Sequence, residues 1–296
     1  MQKYLAFLLG LLLLLPLGAA AQNNANSQNN ANSNDQGEGP LNAGAPRTIA
    51  PEQIIQKFAA REKEFAQARE NYTYRQKVKV QTLDGDTVDG EYEQVVDVVF
   101  DDKGKRKENV LFSPQSTLQR VSMSRDDFED IQHRYPFVLT TDEIPEYQIL
   151  YVGQQREDEL NTYVFDIAPA RMDKGKRYFQ GRIWVDDHDL QIVKTHGKPV
   201  GAVSTADQQF PSFTTYREQI DGRYWFPTYT YADETLHFPG AKRSLPQDVH
   251  IRIKVKYTDY KRFASNTRIL YGDEELKKQP GPGKQQPPAP ASPPKR

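Results

Sequence analysis

Residues 177–233 constrain the fold more tightly than any other part of the chain. They contain RYFQGRIWVDDHDLQIVKTHGK and FPSFTTYREQIDGRYWFPTYTYAD, four β-type runs, three of which set an aromatic residue opposite a charged one. A period of two sends successive side chains to opposite faces of a pleated strand. The clusters Asp186-Asp187-His188-Asp189 and Asp221-Gly222 are turn formers, so neighbouring runs fold back as antiparallel partners.

The same grammar extends on both sides. Tyr72, Tyr74, Val78 and Val80 alternate with Thr73, Arg75, Lys77 and Lys79 before a turn at Leu83-Asp84-Gly85-Asp86. A second run carries Val96, Val98 and Phe100 on one face, and Asp101-Asp102-Lys103-Gly104 returns it into a third over 107–112. Runs over 147–152 and 163–167 follow, with 156–161 as an exposed acidic connection. In the last, Val249, Ile251, Ile253, Val255 and Tyr257 alternate with His250, Arg252, Lys254, Lys256 and Thr258.

One helix opens the folded unit and a second interrupts this meander. Pro51 and Glu52 suit a helix start, and Ile54, Ile55, Phe58, Ala59, Phe65 and Ala66 form its apolar face, with Arg61, Glu62, Lys63 and Glu64 largely opposite. Ser124-Arg125-Asp126-Asp127 has capping-box spacing, Phe128 and Ile131 follow, and Pro136 forces a stop. This second helix and the loop through Pro145 are expected to lie across one end of the sheet. The predicted fold is mainly β (α+β): a strongly curved antiparallel sheet or incomplete barrel of nine or ten strands, its concave face covered by the N-terminal helix and the short inserted one. A flat sheet this wide would leave long edges and an apolar face exposed.

Lys3, the apolar run 5–15, Pro16, Gly18 and Ala19-Ala20-Ala21 predict a secretory signal over 1–21, cleaved after Ala21; an uncleaved anchor is the alternative. No later stretch is long and apolar enough to span a bilayer, so no integral span is expected after cleavage. Residues 22–47, rich in Asn and Gln, read as a disordered tether, 48–273 as the folded domain, and 274–296 as a Pro-rich disordered tail. The 296 residues include no cysteine, which excludes cysteine nucleophiles, thiolate metal sites and lipid attachment through a cleavage-site cysteine. It also fits a Gram-negative periplasm, where a domain of this size holds together by burial alone. A formal net charge of -1, with both signs mixed throughout, gives no sign of a nucleic-acid partner.

Phe100, Phe112, Tyr163, Phe165, Phe179, Trp184, Tyr229 and Tyr231 are the candidates for lining an apolar cavity; ordinary core packing is the competing reading for each. Arg182 and Arg217 are candidates for a polar mouth, where either would hydrogen-bond a lid carbonyl or a ligand headgroup; solvated, outward-facing arginines are the competing reading. Asp186-Asp187-His188-Asp189 reads as a solvated turn, because consecutive turn positions do not converge on one ion. No metal site, cofactor or catalytic set is assigned: no HExxH or GxSxG spacing occurs, and Arg217-Glu218 with Asp221 lacks a second, differently tuned carboxylate.

Phe179-Gln180-Gly181-Arg182-Ile183-Trp184-Val185-Asp186, the return run Leu190-Gln191-Ile192-Val193-Lys194, and Asp221-Gly222-Arg223-Tyr224-Trp225-Phe226-Pro227 resemble the LolA-like periplasmic lipoprotein-carrier superfamily, also called outer-membrane lipoprotein-sorting proteins. The resemblance covers roughly residues 54–263, in element order more than in identity, and no single carrier residue transfers by position. It implies an incomplete barrel with helices as a lid, in the periplasm, binding lipoprotein acyl chains or lipid. The expected function is therefore a non-enzymatic carrier or sensor of a lipidated or apolar ligand, with an envelope protein as a possible partner through the tails. A structural or regulatory envelope protein with a fully packed core, and an envelope hydrolase, are the alternatives.

Overall fold

The computed structural model describes residues 38–46, 49–203, 209–239 and 245–263. The expected signal segment, residues 22–37 of the tether and the Pro-rich tail lie outside the described residues. Helix α1 (Pro51–Ala68) comes first and runs through a short 3-10 turn into strands β1 (Tyr72–Asp84), β2 (Thr87–Phe100) and β3 (Arg106–Phe112). Helix α2 (Arg125–His133) follows, then β4 (Tyr147–Glu157), β5 (Leu160–Pro169), β6 (Arg177–Asp186), β7 (Ile192–Gly201), β8 (Phe213–Gln219), β9 (Trp225–Phe238) and β10 (Gln247–Arg262).

All ten strands join one sheet in the order β3-β2-β1-β10-β9-β8-β7-β6-β5-β4, with every neighbouring pair antiparallel. The sheet is curved and stays open, with β3 and β4 as its edges. No helix among the described residues is long and apolar enough to cross a membrane.

Both helices begin where local chemistry dictates. Pro51 opens α1 behind an extended Ala50, with no side-chain cap. Ser124 caps α2 through a reciprocal capping box with Asp127, and the helix ends at His133, ahead of Pro136.

Helix α1 lies on the inner face of the sheet. Ile54, Phe58 and Ala59 join Val80, Phe165, Ile183, Ile192, Phe213 and Val255 in the main core. The segment after α2 does not stay at one end of the sheet as expected. Tyr135, Phe137 and Leu139 are buried in the same core, where Phe137 stacks on Phe179 with ring centres 4.6 Å apart. Pro136 stops the helix, and the alternating residues beyond it then act as an irregular inner layer.

Two further expectations are corrected. Glu62 faces the sheet and is fully buried, because it sits four residues after Phe58 and three before Phe65 on the apolar stripe. The connection between β4 and β5 is only Asp158-Glu159, and Glu157 is buried against Lys194 at 3.1 Å rather than exposed.

Candidate functional site on the inner face

The pleat divides the ten candidate residues between two faces. Phe100, Tyr163, Phe165, Phe179 and Arg217 point to the inner side, where α1 and the 135–139 segment lie. The other five do not. Trp184 packs on the outer face with Val164 and Val193, its indole N–H donating to Gln155 at 2.8 Å. Arg182 forks onto Asp166 at 2.7 and 3.0 Å. Tyr229 and Tyr231 stack with each other, half-buried, two residues apart on one strand, and Phe112 is 50% exposed at the end of edge strand β3. Alternation within a strand was legible in the sequence; which parity faced inward was not.

Each helix is fastened to the sheet by one acid–arginine pair. Arg217 of β8 donates twice to the Glu62 carboxylate of α1, at 3.1 Å to each oxygen, and also to the carbonyl of Phe137. Glu62 accepts a further bond from the Ile192 amide at 3.1 Å. Burial pushes the Glu62 carboxyl up, against the lowering effect of Arg217. Helix α2 repeats the device: Arg177 of β6 forks onto Asp130, with Nε–Oδ1 at 2.9 Å, and donates to the Ala202 carbonyl at 2.8 Å. Burial raises Asp130 to about 6 despite Arg177.

Between these fasteners a polar seam crosses the inner face. The Thr215 hydroxyl donates to the Tyr135 carbonyl at 2.8 Å and lies 2.8 Å from Thr230, which is 3.3 Å from the Tyr257 hydroxyl. Tyr257 is hydrogen-bonded by Gln76, and Gln76 accepts from Arg106 at 2.9 Å. The Thr215, Thr230, Tyr257 and Gln76 side chains meet partners inside the protein, as buried polar groups do.

One gap on this face is small. A gap of about 50 Å³ lies where the C-terminal end of α1 meets the end of α2, bounded by Phe65, Arg69, Tyr74, Phe100, Arg106 and Tyr260 among others. Ligand pockets begin at roughly 300 Å³, so an acyl chain enters this gap only if a covering element moves. A broader depression of about 700 Å³ lies outside α1, along Glu52, Gln56, Lys57 and Asp187, and of the candidates only Tyr163 borders it.

Asp186, His188 and Asp189 bring ligand-type atoms close together. Asp186 already accepts the amides of His188 and Asp189 at 3.1 and 2.6 Å, and Asp189 accepts the Trp225 indole at 3.1 Å. The cluster is a capped turn that also positions an aromatic ring, and, against expectation, three of its four positions converge.

No family model matches the chain, and no curated protein matches it. Two solved structures are similar to it. One is a DUF1329 family protein from Desulfovibrio piger, at 13% identity and TM-score 0.38, with 77% of this chain and 100% of that one covered. The other is an outer membrane lipoprotein-sorting protein domain from Vibrio parahaemolyticus, at 10% identity and TM-score 0.33, covering 72% and 95%.

Proposed function

We propose that the protein is a non-enzymatic binding protein of the periplasm that carries or senses a lipidated or otherwise apolar ligand, taken up on the inner face when α1 lifts. The observation that carries this reading is a match of magnitudes. Ile54, Phe58 and Phe65 are at most 1% exposed. At about 1.5–3 kcal/mol each, they hold α1 to the sheet by roughly 5–9 kcal/mol. An acyl chain of about 14 to 16 carbons, at about 0.8 kcal/mol per methylene, brings on the order of 10 kcal/mol to the same surface. Helix and chain thus compete on the same scale, with the Glu62–Arg217 pair adding to the helix's hold until a headgroup takes over the arginine. Arg217, no longer paired with Glu62 once α1 lifts, would meet a polar headgroup.

A second reading rests on the close packing itself. Phe165, Phe179, Ile183 and Val255 are fully buried with α1 in place, which also suits a structural envelope protein. Native mass spectrometry of the protein purified from a Gram-negative periplasm without detergent, with organic extraction, separates the two. A stoichiometric acyl-bearing species, or saturable binding of a fluorescent fatty acid to the apo protein, is the expected result. A clean apo mass together with no saturable binding transfers the conclusion to the structural reading.

A further inference from the structure

Residues 38–44 run beside β4 outside the ten-stranded sheet. Bridges join Glu38 to Glu157 and Asn42 to Gln154. The Gly39 amide donates to the Arg156 carbonyl, and Asn42 and Gln154 exchange both of their backbone bonds, each at 2.8 Å. Two side chains of β4 reach across: Gln155 donates to the Gly39 carbonyl at 2.9 Å and Tyr151 to the Gly44 carbonyl at 3.2 Å. Beyond them, Lys194 of β7, only 4% exposed, pairs with the Glu38 carboxylate as well as with Glu157.

The two sides of this contact are built unequally. On the receiving side everything belongs to the sheet: a buried ammonium, two side chains aimed at main-chain carbonyls, and Gly153, where any Cβ would run into the carbonyl of Asn42. The incoming segment contributes its backbone and one carboxylate, and its one large apolar residue, Leu41, stays 39% exposed. A bare strand edge with such fittings takes an extended chain through main-chain bonds, while the charged pair supplies selectivity.

We propose that the outer edge of β4 is a docking groove for an extended acidic peptide, and that residues 38–44 are its resident, exchangeable occupant. The partner is a chain in β conformation that places a carboxylate on Lys194, ahead of a stretch with small or polar residues opposite Gln154 and Gly153. With the resident strap displaced, Lys194 keeps Glu157, so the groove persists without its occupant. The groove is at the sheet edge and operates independently of ligand uptake on the inner face.

The test uses the full chain and a fluorescein-labelled peptide of residues 37–46, GEGPLNAGAP, followed by anisotropy. Gly39→Val in the chain loosens the strap in cis, because a Cβ at position 39 would sit 3.1 Å from the Arg156 Cβ and the further branches of valine crowd β4 more. The G39V chain is expected to bind the peptide saturably and at least tenfold more tightly than the wild-type chain. A peptide carrying Glu38→Gln should bind at least tenfold more weakly, and adding Gly153→Ala to the G39V chain should abolish binding. Hydrogen exchange at the Asn42 and Gln154 amides reports whether the strap has left. Released amides without peptide binding, amides still protected in G39V, or equal affinity for the Gln peptide would each overturn the proposal.

Discussion

Glu62 and Arg217 show how much one stripe position decides. Replacing Glu62 by Gln leaves a guanidinium buried without its charge partner, and breaking a buried pair from one side costs about 3–5 kcal/mol. Exchanging both residues, as in E62L/R217M, should recover part of that loss in denaturant unfolding, since packed apolar groups replace two desolvated charges while the Ile192 amide and the Phe137 carbonyl lose a partner. A double variant as unstable as E62Q would show that the pair itself holds the fold. Asp130 gives a pH-dependent counterpart. Its folded carboxyl titrates at about 6 against an ordinary 3.8, with Arg177, Arg134 and Asp127 around it. A raised carboxyl pKa means the folded state binds the extra proton between those values, so its contribution to stability falls as pH rises from 3.8 to 6. The stability of the wild type relative to Asp130→Asn should therefore be greater at pH 4 than at pH 7, by on the order of 1–2 kcal/mol in urea titrations. A pH-independent difference would place the Asp130 proton elsewhere. Glu62 lies inside the charged run 61–64, which hides it among solvated neighbours, while its spacing from Phe58 and Phe65 marks it for the apolar stripe.

Helix starts were legible because they are local: Pro51 fixes one and the Ser124–Asp127 box the other. The roles of 38–44 and 135–139 were not. The first is held by main-chain bonds, which leave no trace in side-chain composition, and the second follows a helix-stopping proline whose apolar neighbours look like a loop until a partner surface is known. Phe58→Ala probes α1 as a cover. The loss should destabilise the protein by about 3–5 kcal/mol, yet bind a fluorescent fatty acid at least about tenfold more tightly, since each 1.4 kcal/mol removed from the helix's hold yields that factor. Lower stability with unchanged or weaker binding would mean that α1 is structural and does not compete with ligand.

Across the whole molecule, the open antiparallel sheet with one covering helix at its start was legible from period-two runs and their turns. Strand order was not, because nothing local says that β10 returns to β1. Nor was the face that each candidate takes, since alternation sets Trp184 and Phe179 on opposite sides of one run without saying which side is covered. The sheet places Phe179 under Phe137 and sends Trp184 to the other side, beside Lys194.

Strand β1 lies between β2 and β10, with Val78 opposite Val255 across a separation of most of the domain. Followed through space, the sheet is one unbroken meander that begins at β4 and ends at β3, cut open at β10 and β1 and rejoined by the link from β3 to β4. The first three strands pair with one another, but the free edge of β1 consequently finds its neighbour only when the last strand has been made. Such long-range closure is slow, and a chain that cannot complete its sheet until its final strand emerges stays threadable while it is being synthesised.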